Sequence, residues 1–187
     1  MQTSPLTSDH IQSDGSCHAE LYGKDFSIWN AIPGETVCCP IDKYQKKRKE
    51  LQANEILTPS PHRIEPLEDH FVSCSPWQIM TLDHEHALKK EHALKTFAPY
   101  KEVIELLQKT EVYSNQQRTS YRHKMEYHIY TDEDHRFHLG IFGRMEKKKI
   151  PITPCVLATP AINKAMTDII RWLDTVQFPR SDLKTVI

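Results

Sequence analysis

This 187-residue sequence has little glycine: Gly15, Gly23, Gly34, Gly140 and Gly143 are all of it. None of the five builds a GxGxxG or GxxxxGK[ST] run, which excludes a nucleotide or S-adenosylmethionine loop of the usual glycine-rich kind. Cysteine is sparse too. Cys17, Cys38, Cys39, Cys74 and Cys155 are odd in number, include one adjacent pair and form no CxxC, a poor disulfide framework that suits a reducing compartment. No apolar run approaches the ~20 residues a membrane helix needs, and the opening MQTSPLTSDHIQSDGS lacks the charged start and apolar core of a secretory signal. A cytoplasmic protein with no membrane partner is expected. Neither charge sign dominates: 24 Lys and Arg against 25 Asp and Glu give a net charge of -1, so attraction to phosphate has to come from local clusters.

Catalytic patterns are missing as well. There is no GxSxG, and Cys38-Cys39 reads as part of a strand with one sulfur in the core. His84, His86 and His92 share one predicted helix, but Leu88 stands where HExxH needs its second histidine, and the three read as solvated helix residues. On its own residues the chain offers no catalytic group, no cofactor site and no metal site, and is not a complete enzyme.

What is present is organised around residues 55–78, EILTPSPHRIEPLEDHFVSCSPWQ, where Pro59, Pro61, Pro66 and Pro76 each fix φ and withhold a backbone donor. This stretch reads as a joint between two modules, 1–66 and 67–187. Before it, short β-suited pieces at 17–21, 26–29, 36–44 and 49–57 are separated by the turns Tyr22-Gly23-Lys24 and Ile32-Pro33-Gly34-Glu35. They predict a small barrel, which solves the exposed-edge problem by closing. Between its last two strands lies the densest basic run, Lys43-Tyr44-Gln45-Lys46-Lys47-Arg48-Lys49, either a phosphate-contacting loop acting by counterion release or a solvated hairpin tip.

After the joint, Asp83 is placed to cap a helix running to about Phe97, with Leu88, Leu94 and Phe97 inward. A second helix covers 100–109. The alternation then predicts a strand over 121–130, with Tyr121, His123, Met125, Tyr127 and Ile129 on one face and Arg122, Lys124, Glu126, His128 and Tyr130 on the other. A turn at 131–134, a returning strand at 136–142 and a short strand at 150–153 follow. Thr159-Pro160 opens a helix that ends before Pro179, and 180–187 reads as a linker to a further domain. The fold class is α+β: a small N-terminal β-barrel, then an α+β module with an antiparallel sheet and flanking helices.

In order along the chain stand Asp14-Gly15, Ala19, Gly23-Lys24, Ile32-Pro33-Gly34-Glu35-Thr36-Val37, the basic Lys46-Lys47-Arg48-Lys49, and Pro59-Ser60-Pro61-His62-Arg63-Ile64 with Pro66. His70-Phe71, Cys74, Trp77-Gln78, Tyr121-Arg122-His123-Lys124, Leu139-Gly140-Ile141-Phe142 with Arg144, and Pro154-Cys155-Val156-Leu157 come next. This series resembles the RNA (uracil-5-)methyltransferases, which place a small OB-like TRAM barrel before a central domain and an S-adenosylmethionine-binding catalytic domain. The resemblance runs from about residue 14 to 178.

The resemblance implies that the family's nucleophilic Cys, general base and cofactor domain lie beyond the matched residues, so no residue here inherits a catalytic or cofactor-binding role. The complete reaction adds a Cys to uracil C6, methylates C5 from S-adenosylmethionine and eliminates the enzyme. Many relatives hold an iron–sulfur cluster on four cysteines. Cys74 and Cys155 match two of them, while Glu68 and Trp77 stand at the others. Two thiolates rarely suffice, so no cluster is expected, and the two thiols read as core neighbours with Trp77 filling the cluster's space. For RNA, the resemblance assigns phosphate contacts to Lys46, Lys47, Arg48 and Lys49. It assigns charge and stacking for unpaired bases to Arg122, Lys124, His128 and Tyr130, unless that face packs on a catalytic domain. Arg144 and Lys147-Lys148-Lys149 extend the surface. The expected function is the RNA-binding N-terminal portion of an RNA (uracil-5-)methyltransferase acting on rRNA or tRNA, with a separate catalytic polypeptide as a candidate partner. A stand-alone RNA-binding or regulatory protein is the alternative, and a protein-interaction module a third.

Overall fold

The computed structural model describes residues 2–41, 47–134, 136–176 and 185–186. Its elements fall into two units, Met1–Pro66 with Cys74–Ser114 and Leu67–Ser73 with Asn115–Ile187. The fold is α+β. The stretch Cys74–Ser114, expected in the second module, thus groups with the first.

The first unit contains β1 (Gln2–Thr7), β2 (Cys17–Leu21), β3 (Lys24–Trp29), β4 (Thr36–Ile41), β5 (Glu50–Gln52) and β6 (Glu55–Thr58). They form two sheets, β1-β4-β6 and β2-β3-β5. Tyr22 and Gly23, at φ 52 and 69, make the two-residue primed turn that joins β2 to β3. Pro33 and Gly34, the latter at φ 87, make the next turn, closed by the Glu35 N–H on the Ile32 carbonyl at 3.1 Å. Alternate residues of both sheets enter one core, including Leu6, Ala19, Phe26, Ile28, Val37 and Leu51. Cys39 is fully buried there and burial pushes its thiol up to about 12, so this sulfur is an inert core group.

Three features differ from the sequence expectation. β1 was not anticipated: it is polar apart from Leu6 and holds Pro5, which is tolerated because β1 is an edge strand. The expected strand over 49–57 is broken at Ala53-Asn54, whose N–H groups donate to Trp29 and Cys38 at 3.0 Å each. Its halves therefore join different sheets, β5 running parallel to β3 and β6 antiparallel to β4. The described strands on either side of the basic run, β4 and β5, accordingly belong to different sheets and are not hairpin partners, while Lys43, Tyr44, Gln45 and Lys46 lie outside the described residues.

The Pro-rich stretch is held by a buried ion pair. Glu35 is 0% exposed, and Arg63 grips it with two bonds, Nε to Oε1 at 2.6 Å and one terminal nitrogen to Oε2 at 2.7 Å. The Ser60 and Ile32 N–H groups add two more at 2.9 Å each. Burial alone raises the Glu35 carboxyl, but these donors outweigh it and hold it below the usual range. Beyond Arg63, Ile64 N–H donates to Ile79 at 2.8 Å and Thr81 N–H to His62 at 2.9 Å, which fastens the entry to α2 (Leu82–Thr96), the α-helix that follows the four-residue α1 (Phe71–Cys74) in sequence. Thr81, not Asp83, is the residue before that helix, and Phe97 is exposed instead of inward. α3 (Lys101–Lys109) follows.

The second unit has the sheet β10-β7-β8-β9, from β7 (Tyr127–Thr131), β8 (Phe137–Phe142), β9 (Lys149–Pro151) and β10 (Thr185–Val186). Residues 185–186, read as linker from the sequence, pair antiparallel with Tyr127 and His128. α4 (Pro160–Val176) lays Leu173, Ile169 and Ile170 on Ile129 and Phe137. No described helix is long and apolar enough to cross a membrane.

Glu35→Ala and Arg63→Ala should each cost about 3–5 kcal/mol, since each strands a buried partner, and the double variant should cost less than their sum. Urea unfolding monitored by circular dichroism measures both. The folded Glu35 carboxyl titrates below its unfolded value, so its contribution is complete above the unfolded pKa and disappears as pH falls through the folded one. The stability gap between wild type and Glu35→Gln should therefore close on acidification.

Candidate nucleic-acid interface

Lys46 lies outside the described residues. Lys47 and Lys49 are exposed, while Arg48 is half-buried and ion-paired with Glu50. Lys49 sits at φ 57, and its carbonyl accepts the Ser27 N–H at 2.9 Å, so the end of the basic run is pinned along β3. Beside it opens a cleft of about 540 Å³ whose walls include His10, His18, Asp25, Arg48 and Lys49. His18 bridges two carboxylates, Nδ1 to Asp9 at 2.8 Å and Nε2 to Asp25 at 3.1 Å, and its ring stacks on His10 at 4.9 Å. The hydrogen bond to Asp9 raises the His18 pKa against the opposing effect of burial, and Asp25 adds to it. The cleft thus mixes cations with acids, and Glu50 offsets the charge of Arg48.

In the second unit the expected strand over 121–130 is present only from Tyr127 onward. Arg122 instead makes an isolated parallel bridge to Ala158: its N–H donates to Leu157 at 2.8 Å and its carbonyl accepts from Thr159 at 3.1 Å. Lys124 is exposed and lies outside any strand. His128 is on β7, opposite Gly140 and Thr185. Arg122, Lys124 and His128 therefore do not line one strand face. On the face that does exist, Tyr130 stacks on His138 at 5.5 Å. Gly140 permits this: a Cβ there would stand 2.8 Å from the Ile150 carbonyl and 3.1 Å from the Tyr130 ring. Arg144 is drawn into the fold, with Nε donating to the Val72 carbonyl at 3.1 Å and its N–H to Ser73 Oγ at 3.0 Å.

The residues at the cluster positions do not fit an iron–sulfur group. Glu68 accepts the Val156 N–H at 3.0 Å and the Cys155 thiol at 3.4 Å. Trp77, in the first unit, donates Nε1 to the Gly15 carbonyl at 3.1 Å, beneath the Lys89 ammonium. Neither position offers a thiolate, and each side chain already has a backbone partner. Cys74 belongs to the first unit, where it accepts from Gln78 at 3.7 Å. His70 lies with Nε2 3.1 Å from Glu68 Oε2. Burial pushes its pKa down, but the Cys155 thiol and the Glu68 carboxylate prevail and lift it to about 9.

Sequence reasoning missed three arrangements. The Asp9–His18–Asp25 bridge spans a strand and a turn, and Glu68 and His70 meet Cys155 from 87 and 85 positions away, so no motif spacing marks either group. His84, read as solvated, stacks on His62 at 4.1 Å with Nε2 buried, and desolvation followed by the His62 charge lowers its pKa.

No protein-family model matches the sequence. Among curated proteins, the chain is 25% identical over 167 residues to a 23S rRNA (uracil(1939)-C(5))-methyltransferase of Vibrio cholerae, covering 88% of this chain and 38% of that protein. It is 31% identical over 160 residues to the enzyme of the same name from a Marinomonas species, covering 80% and 34%. An uncharacterized RNA methyltransferase of Treponema denticola is 28% identical over 180 residues, covering 89% and 44%. The chain thus spans well under half the length of these relatives. Among solved structures, the tRNA (uracil-54, C5)-methyltransferase of Pyrococcus abyssi, in complex with S-adenosyl-L-homocysteine, matches with a TM-score of 0.59 at 13% identity, over 92% of this chain and 37% of that one. At that identity the match speaks for the fold.

His18 should titrate above the usual histidine value in an NMR pH series, and Asp9→Asn should bring it back down. Its folded pKa is raised, so its contribution to stability is complete below the unfolded value and is lost as pH climbs through the folded one.

Proposed function

The chain belongs to the RNA (uracil-5-)methyltransferase family, and from that membership we propose that it supplies the RNA-holding part of a uracil-C5 methylation. The observation that carries this reading is the reach of the likeness, which extends over 80–89% of this chain but only 34–44% of the three relatives. In this reading the six strands around one core are a TRAM-like, OB-like barrel. Its support is the backbone bonding that links the two sheets beyond their ladders: Asp9 N–H to His18 at 3.0 Å, and Asn54 N–H to Cys38 at 3.0 Å. OB-like barrels present a sheet face and loops to polynucleotides.

RNA is held first by charge. Lys47 and Lys49, with Lys46 beside them in sequence, contact phosphates and set position without reading bases. Arg48 contributes less because Glu50 shares its charge. Unpaired bases stack on the Tyr130 and His138 rings, with His128 at the same face. The target is rRNA or tRNA, the methyl donor of the complete reaction is S-adenosylmethionine, and methyl transfer is performed outside the residues described. Arg122 and Arg144 act here mainly as structural residues.

The test is RNA affinity by fluorescence anisotropy at several salt concentrations. Replacing Lys46, Lys47, Arg48 and Lys49 together by Ala should weaken single-stranded RNA binding at least about tenfold and lower the log–log salt slope by about 0.7 per lost contact. Unchanged affinity and slope would favour the protein-interaction alternative. With labelled S-adenosylmethionine and bulk RNA, no methyl incorporation is expected from this chain alone, and incorporation would overturn the division of labour proposed.

A further inference from the structure

We propose that Glu68, His70 and Cys155 form a zinc site within the second unit. Their ligand atoms all lie within 4.8 Å of one another. Two come from the segment Leu67–Ser73, and the third precedes α4, so an ion here would clamp the two sequence-distant parts of this unit.

The positions suit a tetrahedral ion. With bonds of roughly 2.0–2.3 Å to zinc, donor atoms stand about 3.3–3.8 Å apart. The separations seen are 3.4 Å from Cys155 Sγ to Glu68 Oε1 and 3.1 Å from His70 Nε2 to Glu68 Oε2. Small rearrangements would place an ion between all three. Burial is nearly complete, with Cys155 at 0% and His70 at 8% exposure and the Glu68 side chain at 6%. His70 Nε2 is buried without a directed hydrogen bond, although the carboxylate is only 3.1 Å away. The ring is thus directed at the carboxylate without a well-aligned hydrogen bond to it, an orientation that suits sharing an ion with the same donors.

The donor set selects the metal. One thiolate, one imidazole and one carboxylate suit zinc, and exclude the oxygen-only preference of magnesium or calcium. The surroundings already orient two ligands: Val156 N–H donates to Glu68 Oε2 at 3.0 Å, and Asn163 Nδ2 to the Cys155 carbonyl at 2.9 Å. A fourth ligand is at hand as water, because Glu68 and His70 line an open cleft of about 590 Å³. Binding would displace protons from the Cys155 thiol and from His70, and the ion would carry the positive charge that balances Glu68. Glu68 and Cys155 occupy two of the four places where the sequence resemblance puts cluster thiolates. A single ion thus stands in for a cluster that these residues cannot hold.

The experiment uses the full chain. Purified without chelator from zinc-supplemented growth, it should carry close to one zinc per chain by elemental analysis. Cobalt in place of zinc should give thiolate-to-cobalt charge-transfer absorption. Cys155→Ser should abolish that absorption, and His70→Gln should lower zinc affinity at least about tenfold, both with the far-ultraviolet circular dichroism unchanged. A wild-type chain that takes up no zinc and shows no thiolate absorption with cobalt would overturn the proposal, whether or not the variants fold. So would variants that retain wild-type zinc, or iron with acid-labile sulfide in anaerobically purified protein.

Discussion

A carboxylate with no exposure to water is the constraint on which the first unit depends. Glu35 can stay ionised there only if it is fully hydrogen-bonded, and the fold brings four donors to it. Three of these donors come from Ser60 and Arg63, so the chain after β6 has little freedom in its path. Arg63 also donates to Asn30, through Oδ1 at 3.3 Å and the carbonyl at 3.1 Å. One guanidinium thus ties the end of β3, the turn before β4 and the Pro-rich stretch together. The backbone bonds at Ile64 and Thr81 pass that order on to α2, which explains why Cys74–Ser114 groups with the strands.

The same accounting separates the cations engaged within the fold from those whose side chains reach solvent. Arg48 and Arg144 each have partners within the fold, an acid in the first case and a backbone carbonyl in the second. Lys47 and Lys49 have exposed side chains. A chain with a net charge of -1 can still favour phosphate at one place if its acids are matched elsewhere. His18 is such a match within the cleft itself, where it partners Asp25 as well as Asp9.

Local chemistry was legible in the sequence, and long-range pairing was not. Tyr22-Gly23 and Pro33-Gly34 announce their turns because positive φ and a fixed φ leave few other conformations. The alternation of Tyr127, Ile129, Phe137 and Leu139 gave the β7–β8 hairpin, and Thr159-Pro160 gave the start of α4. Alternation extended too far at 121–126, where backbone bonds to Leu157 and Thr159 replace a ladder. β1 was invisible because an edge strand needs little apolar surface, and the break between β5 and β6 because runs of three and four residues carry no period of their own. The motif residues Glu35 and Arg63 were seen as a resemblance, but their partnership spans 28 positions and has no local signature. Glu68 and Cys155, separated by 87, were hidden for the same reason.

The pairing of β1 with β4 has a consequence for how the molecule is made. Gln2 lies opposite Ile41, so β1 leaves the ribosome ahead of its partner and must wait, edge exposed, until β4 has emerged. Even then Glu35 has no counter-ion until Arg63 is synthesised. Closure of this unit is therefore deferred to a late, single translational event, and an arrest upstream of that arginine would leave a nascent chain that chaperones and proteases recognise as unfinished.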